Sequence, residues 1–275
     1  MGQACKMAPI HHELAPAKLT LSLKITGRRA DGYHLIASEM VSLDLTDELW
    51  IDEGESGLEI EDAIAWIGPP AARPTLVVPT DTSNLVSRAL ELAEHHAGVR
   101  LLKRIPAGAG LGGGSSDAAS VLRCFGFTDV ARAAQLGADI PFCITGGRAL
   151  VTGVGEVVEP LADISEHIVV VTPSFGVVTR DVYDAFDDLG VGDSEITNDL
   201  EPAALVVEPR LVELKRWIAT TTGEAPILAG SGGSFFLRVS AGDWAGLADA
   251  LEADRDDSIG PVVISRCRTS ARQSD

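Results

Sequence analysis

The chain has 275 residues, 45% apolar and only 5% aromatic, so it is long enough for two domains with cores built on Val, Leu, Ile and Ala. A formal net charge of -18 argues against nucleic acid or an anionic membrane as partner, since both need a broad basic field. An anionic small molecule remains compatible: Lys18, Lys24, Arg28, Arg29, Lys103 and Arg104 lie near the most informative segments of the first half, although scattered cations on a solvated acidic surface are the plainer reading.

From Met1 to Leu14 no long apolar run occurs, so neither a signal peptide nor a transmembrane helix is expected and a cytoplasmic enzyme is the default. His11 and His12 read as a pair in a mobile terminus without a metal role. Cys5, Cys124, Cys143 and Cys267 are far apart, with no C-x-x-C pair, and read as reduced thiols.

Leu19, Leu21, Leu23 and Ile25 alternate with Thr20, Ser22 and Lys24, the period of a half-buried strand, so Lys18, Thr20 and Ser22 share its other face. Gly27 to Gly32 is a turn, and Tyr33-His34 opens a segment leading to Val41, Leu43 and Leu45. Leu58 and Ile60 mark a further strand; Gly68 to Pro74 is a loop by composition. Asp81-Thr82-Ser83-Asn84 is a capping cluster before a helix running towards His96. Val99 to Ile105 reads as a strand.

That strand feeds Ile105-Pro106-Ala107-Gly108-Ala109-Gly110-Leu111-Gly112-Gly113-Gly114-Ser115-Ser116-Asp117-Ala118-Ala119, where glycines crowd directly before a helix start. Glycine lets backbone N–H groups converge on a ligand, and Ser115, Ser116 and Asp117 are residue types that cap a helix. A helix starting here would aim its positive end at a di- or triphosphate. A Walker loop is excluded because no lysine follows Gly114. A dinucleotide fingerprint is met by Gly108, Gly110 and Gly113 but lacks the strand that should follow its helix, and a plain turn needs fewer glycines.

Ala118, Ala119 and Leu122 share a helical face, and a short helix from Val130 to Leu136 is expected to end on Gly137 as its C-cap. In Leu136-Gly137-Ala138-Asp139-Ile140-Pro141-Phe142 the carboxylate of Asp139 stands among apolar neighbours, either as a helix cap or as a functional base. Arg148 to Val151 resumes a strand. In the second half, His167 to Val171 has a buried-strand pattern, Leu211, Leu214, Trp217 and Ile218 form a helical face, and Phe235 to Val239 is a strand. A helix through Leu247 and Leu251 and a strand from Val262 to Ile264 follow, while Asp187 to Asp193 reads as a flexible loop and Arg266 to Asp275 as a loose tail.

Four segments occur together and in order: Ala15 to Leu19, Gly27 to His34, Pro106 to Ala119, and Leu136 to Phe142. With Asn84-Leu85, Gly153-Val154-Gly155-Glu156, Asn198 to Glu201 and Gly230-Ser231-Gly232-Gly233-Ser234, they make the chain resemble the GHMP kinase superfamily along nearly its whole length. The Gly32-Tyr33-His34 segment and the triple glycine Gly112-Gly113-Gly114 narrow the resemblance to its 4-diphosphocytidyl-2-C-methyl-D-erythritol kinase family, of the non-mevalonate isoprenoid pathway.

The resemblance implies an α+β, two-domain GHMP fold, with an N-terminal ribosomal-protein-S5-domain-2-like domain over residues 1–160 and a C-terminal ferredoxin-like α/β sandwich over 161–275. It implies ATP, with Mg2+ arriving on the nucleotide, as phosphoryl donor and a small cytidyl-polyol as acceptor, in a monomer or homodimer. Asp139 would take the proton of the substrate's 2-hydroxyl, and Lys18 would keep Asp139 a carboxylate and stabilise the developing alkoxide. Pro106, Gly108, Gly110, Leu111, Gly112, Gly113, Gly114, Ser115 and Ser116 would hold the phosphates, with Asn84 and Lys103 near the adenine. Tyr33, His34 and Tyr183 would receive the base, either as a ring sandwich of Tyr33 and Tyr183 or with Tyr183 as core packing, and Gly232 belongs to the segment closing over the cleft.

Two departures stand out: Thr20 occupies a position where the family has asparagine, and the stretch between Asp117 and Asp139 is short. They leave open a catalytically silent nucleotide-binding member; another GHMP kinase, of homoserine or mevalonate type, is the nearest rival within the superfamily.

Overall fold

The computed structural model describes residues 9–190, 196–255 and 258–272. Two long strands, β1 (Ile10–Arg28) and β2 (His34–Asp52), form an antiparallel hairpin on which the first half is built. Their apolar residues alternate as the sequence reading expects, but β1 begins earlier: Ile10 pairs with Asp52, and His12 stacks on Trp50 at 5.0 Å. The segment expected to be a mobile terminus is therefore ordered from Ile10, because cross-strand aromatic and ionic pairs hold it. Cys5 lies outside the described residues.

Along its other edge β2 pairs in succession with three strands, which is possible only because it is so long. Ile36 to Val41 take β5 (Arg148–Gly153), Ser42 and Leu43 take the last strand of the chain, and Glu48 to Asp52 take β4 (Gly98–Lys103). β3 (Gly57–Asp62) runs parallel to β4, and β6 (Val157–Pro160) extends β5. Against this sheet pack α1 (Leu85–Leu92), α2 (Gly113–Cys124), α3 (Val130–Ala134) and α4 (Ile140–Thr145). Ala118, Ala119 and Leu122 are fully buried beneath α2, as their spacing predicts. The short stretch behind α2 is accommodated by a tight turn at Gly126 (φ 64°) before α3, which ends at Ala134 with Gln135 rather than Gly137 at its cap.

The second half comprises β7 (His167–Pro173), α5 (Thr179–Leu189), α6 (Glu201–Val207), α7 (Arg210–Thr222), β8 (Ile227–Leu228), β9 (Phe235–Val239), α8 (Trp244–Asp254) and β10 (Val262–Ser270). Its sheet order, β10-β7-β9-β8, with all neighbours antiparallel, is the ferredoxin-like arrangement. Asp187 to Leu189 belong to α5, which closes on Gly190 in the left-handed conformation, so that part of the expected loop is helix; residues 191–193 of it lie outside the described residues.

The expected tail is also a correction. β10 continues through Arg266, Cys267 and Arg268 to Ser270, pairing with β7 and then with β2, and Cys267 is 1% exposed. Alternating arginines made this segment look solvated, whereas it joins the two sheets; residues 273–275 lie outside the described residues. Between the halves sits a separate apolar cluster. Leu19, Leu21 and Leu43 meet Ile168, Val170 and Phe236 there, while Val169 and Val171, on the opposite face of β7, pack under the helices.

Candidate active site

β4 delivers the glycine loop, and α2 carries the chain away from it. The helix starts at Gly113 with Gly112 as its N-cap at φ 65°, so Ser115 and Ser116 lie in its first turn rather than at the cap, and Asp117 follows that turn. The first intrahelical bond shown runs from Ser116 N to Gly112 O at 2.9 Å, which leaves the N–H groups of Gly113, Gly114 and Ser115 at the open helix end. Ser115 is half-buried at this mouth, but Ser116 is fully buried and its Oγ has no hydrogen-bond partner among the described residues. The expected pair of serine donors is thus reduced to one accessible hydroxyl.

Glycine is required here by close approach. A side chain at Gly112 would put its Cβ 2.6 Å from Cγ of Lys18, and one at Gly110 (φ 77°) would run into the carbonyl oxygens of Ala229 and Gly232. The loop is pinned from both sides: Lys18 N donates to Leu111 O at 2.9 Å, and Ser234 Oγ donates to Ala109 O at 2.7 Å. The second glycine segment, from Gly230 to Ser234, is packed onto the first, with Gly232 buried against Val177. Asn198 holds it there by donating to the carbonyls of Leu228 and Gly230 at 2.8 and 2.7 Å.

Lys18 and Asp139, remote in sequence, meet beneath this loop. Lys18 Nζ lies 3.4 Å from Asp139 Oδ2, with the lysine side chain 7% and the aspartate 32% exposed. Asp139 occupies the N-cap position of α4, yet its carboxylate accepts no capping bond from that helix. Pro141 at the second helical position already lacks an N–H, which removes one of the donors a cap would satisfy. The carboxylate instead faces Lys18 and remains part-exposed. Thr20, 1% exposed, accepts from Lys18 Nζ at 3.4 Å and is enclosed beneath the lysine rather than presented to a ligand.

The base-side residues assemble differently from the expected sandwich. His34 stacks on Tyr183 with ring centroids 4.9 Å apart, and Tyr33 is 66% exposed and has no ring contact with Tyr183. Burial, with the charge of Asp139 adding to it, pushes the Tyr183 phenol up to about 12. Asp187, which the sequence reading left in a loop, accepts from His34 Nε2 at 2.7 Å and pairs with Arg28 at 2.8 Å. Its signal was the spacing of Tyr183, Phe186 and Asp187, one face of a helix.

Two residues expected near adenine are engaged elsewhere. Asn84 caps α1, accepting from Val86 N at 2.8 Å and donating to Pro79 O at 2.6 Å, so both ends of its amide serve the backbone. Lys103 is buried between Asp47 and Asp117, bonded to both carboxylates, the Asp117 contact being 2.6 Å. Burial would pull its pKa down, but attraction to Asp117 and Asp47 outweighs this and raises it. No group of three or more His, Cys, Asp or Glu side chains among the described residues forms a metal site, and no described helix is long and apolar enough to cross a membrane.

A glycine loop at a helix N-terminus, with a lysine and carboxylate pair beneath it at the join of two α+β halves, defines a GHMP-type kinase. Residues 84–147 match the model of the GHMP kinases N terminal domain. A homoserine kinase structure from Cytophaga hutchinsonii, 17% identical, shares the fold over 99% of this chain and 98% of its own with a TM-score of 0.61. More specifically, the chain is 34% identical over 258 residues to the 4-diphosphocytidyl-2-C-methyl-D-erythritol kinase of Clostridium kluyveri, covering 81% of this chain and 88% of the relative. It is 35% identical to the enzyme of that name from Paracoccus denitrificans, over 83% of this chain and 87% of the relative. A crystal structure of 4-(cytidine 5'-diphospho)-2C-methyl-D-erythritol kinase superposes with a TM-score of 0.72 at 32% identity, over 95% of this chain and all of that one. The chain belongs to the 4-diphosphocytidyl-2-C-methyl-D-erythritol kinase family.

Proposed function

We propose that this enzyme transfers the γ-phosphoryl group of ATP to the 2-hydroxyl of 4-diphosphocytidyl-2-C-methyl-D-erythritol, with Asp139 as base and Lys18 as charge stabiliser. The observation that carries this reading is the 3.4 Å approach of Lys18 Nζ to the uncapped, part-exposed Asp139 carboxylate, near a helix start whose first N–H groups are open.

The attacking hydroxyl gives its proton to Asp139 as its oxygen bonds to the γ-phosphorus and the bond to the β-phosphate oxygen breaks, releasing ADP. Lys18 neutralises negative charge on the oxygens, and its shielded position strengthens that effect. The N–H groups of Gly113, Gly114 and Ser115 and the positive end of α2 bind the triphosphate, which enters as its magnesium complex. Little covalent chemistry is left to the protein, so positioning and charge carry the rate.

At the other end, Tyr33 and His34 receive the cytosine beside Tyr183. We place the division between domains at residues 160 and 161, in the connection from β6 to β7. The free thiols of Cys124, Cys143 and Cys267 support a reducing, cytoplasmic setting.

Purified protein with MgATP and each of the cytidyl substrate, homoserine and mevalonate tests the assignment by ADP release. Turnover is expected with the cytidyl substrate alone. Release with another alcohol and none with the cytidyl compound would assign the chain to a different substrate.

A further inference from the structure

His34 is held from three directions by one face of α5. Tyr183 stacks on the ring at 4.9 Å and 27°, Phe186 meets it edge-on at 6.0 Å and 88°, and Asp187 Oδ1 binds Nε2 at 2.7 Å. The two aromatic rings fix the plane of the imidazole, and the hydrogen bond fixes its rotation within that plane. The other oxygen of Asp187 receives Arg28 Nη1 at 2.8 Å, and Arg28 is paired in strand register with His34, so the hairpin end supplies both partners of the carboxylate.

A carboxylate can only accept, so Nε2 must carry hydrogen. In the neutral ring Nδ1 then keeps its lone pair. Among the described residues Nδ1 has no hydrogen-bond partner, and it is not among the polar atoms sealed from solvent. In that neutral form the ring presents an acceptor in a fixed plane. A cytosine exocyclic amine can donate to it; the carbonyl oxygen that uracil carries at the same position would oppose one lone pair with another.

We infer that Asp187, braced by Arg28, is a positioning residue that sets the tautomer and orientation of His34 and so makes the site choose an amine-bearing pyrimidine over a carbonyl-bearing one. This rests on the base-binding role proposed for His34 above. The discrimination comes from a polar partner left unmatched, which rejects the wrong ligand more strongly than a misfit of shape.

The test is kcat/KM for the cytidine-diphosphate-linked substrate and for its uridine counterpart, in the wild type, Asp187→Ala and Asp187→Asn. The wild type is expected to prefer the cytidine compound, and both variants to lose about tenfold of that preference, the worth of one hydrogen bond. The loss should appear in KM for the cytidine substrate, with kcat and KM for ATP nearly unchanged. Asp187→Asn keeps the side-chain volume, which guards the result against a folding defect. An unchanged preference, equal losses on both substrates, or a wild type indifferent to the base would overturn the role of Asp187 while leaving the kinase assignment intact. A wild type inactive on the cytidine substrate would overturn that assignment as well.

Discussion

Two buried lysines flank the glycine loop, and their surroundings differ in one respect. Lys18 meets a single carboxylate, Asp139, whose side chain is 32% exposed; Lys103 is enclosed with Asp47 and Asp117, both at 3% exposure or less. Both are lysine–carboxylate contacts in a poorly solvated interior. In the open pair the carboxylate can still reach a substrate hydroxyl. In the closed cluster the contacts tie β2, β4 and α2 together: Asp47 also accepts from the backbone N–H groups of Arg104 and Ile105, at 2.5 and 2.9 Å, while the buried Oδ1 of Asp117 has no partner among the described residues. Access by one partner, rather than the presence of an ion pair, separates a chemical site from a brace behind it.

The closed cluster contains one cation and two carboxyl groups. Burial pushes Asp117 up to about 7 against the pull of Lys103, with the charge of Asp47 adding to the rise. When Asp117 holds its proton, Lys103 and Asp47 balance, and no net charge lies under the loop.

Breaking the open pair should have the largest effect. Asp139→Asn is expected to lower kcat about a thousandfold while ATP affinity and thermal stability change little, as read by steady-state ADP release and nucleotide titration. A rate within a few fold of wild type would remove Asp139 from the base role. The closed cluster should respond in the opposite way. Lys103→Ala leaves the buried carboxyl groups of Asp47 and Asp117 without a counter-ion and is expected to cost about 3–5 kcal/mol in urea unfolding. The folded fraction should retain its turnover, and a stable but inactive variant would return Lys103 to the nucleotide.

Asp117→Asn is the subtler probe. Its folded-state pKa of about 7 lies above the ordinary 3.8, so between those values the folded chain binds more protons than the unfolded one. Stability then falls as pH rises through that window, and the penalty is fully present above about 7. Asparagine stands in for the protonated acid, so the variant should show a flatter stability profile from pH 4 to 7 and a higher urea midpoint than wild type at pH 8. An unaltered slope would contradict the assignment of the proton to Asp117.

Much of this architecture is readable along the chain because it depends on local periodicity. The alternation from Leu19 to Ile25, the face of Ala118, Ala119 and Leu122, and the capping cluster at Asn84 each concern neighbours within one element. Where neighbours come from elsewhere the reading changes. Asn84 looks like a ligand contact until its amide is seen to serve the helix start and Pro79. Lys103 looks like a free cation until Asp47 and Asp117 close over it. Alternating arginines in β10 suggest a tail, because nothing local announces the two strands waiting on either side.

By itself the sequence determined that a glycine loop precedes a helix start, that Lys18 stands on an apolar strand, and that Asp139 is a carboxylate among apolar neighbours, either a helix cap or a base. These are consequences of residue type and spacing. The tertiary structure alone decided that Lys18 and Asp139 approach within 3.4 Å, that Lys103 is sealed, and that His34 meets α5 rather than Tyr33 meeting Tyr183. The first two depend on how α2 and α4 pack on the β1–β2 hairpin and the third on how the second half packs on it, a matter of long-range burial and charge pairing that no window of sequence contains.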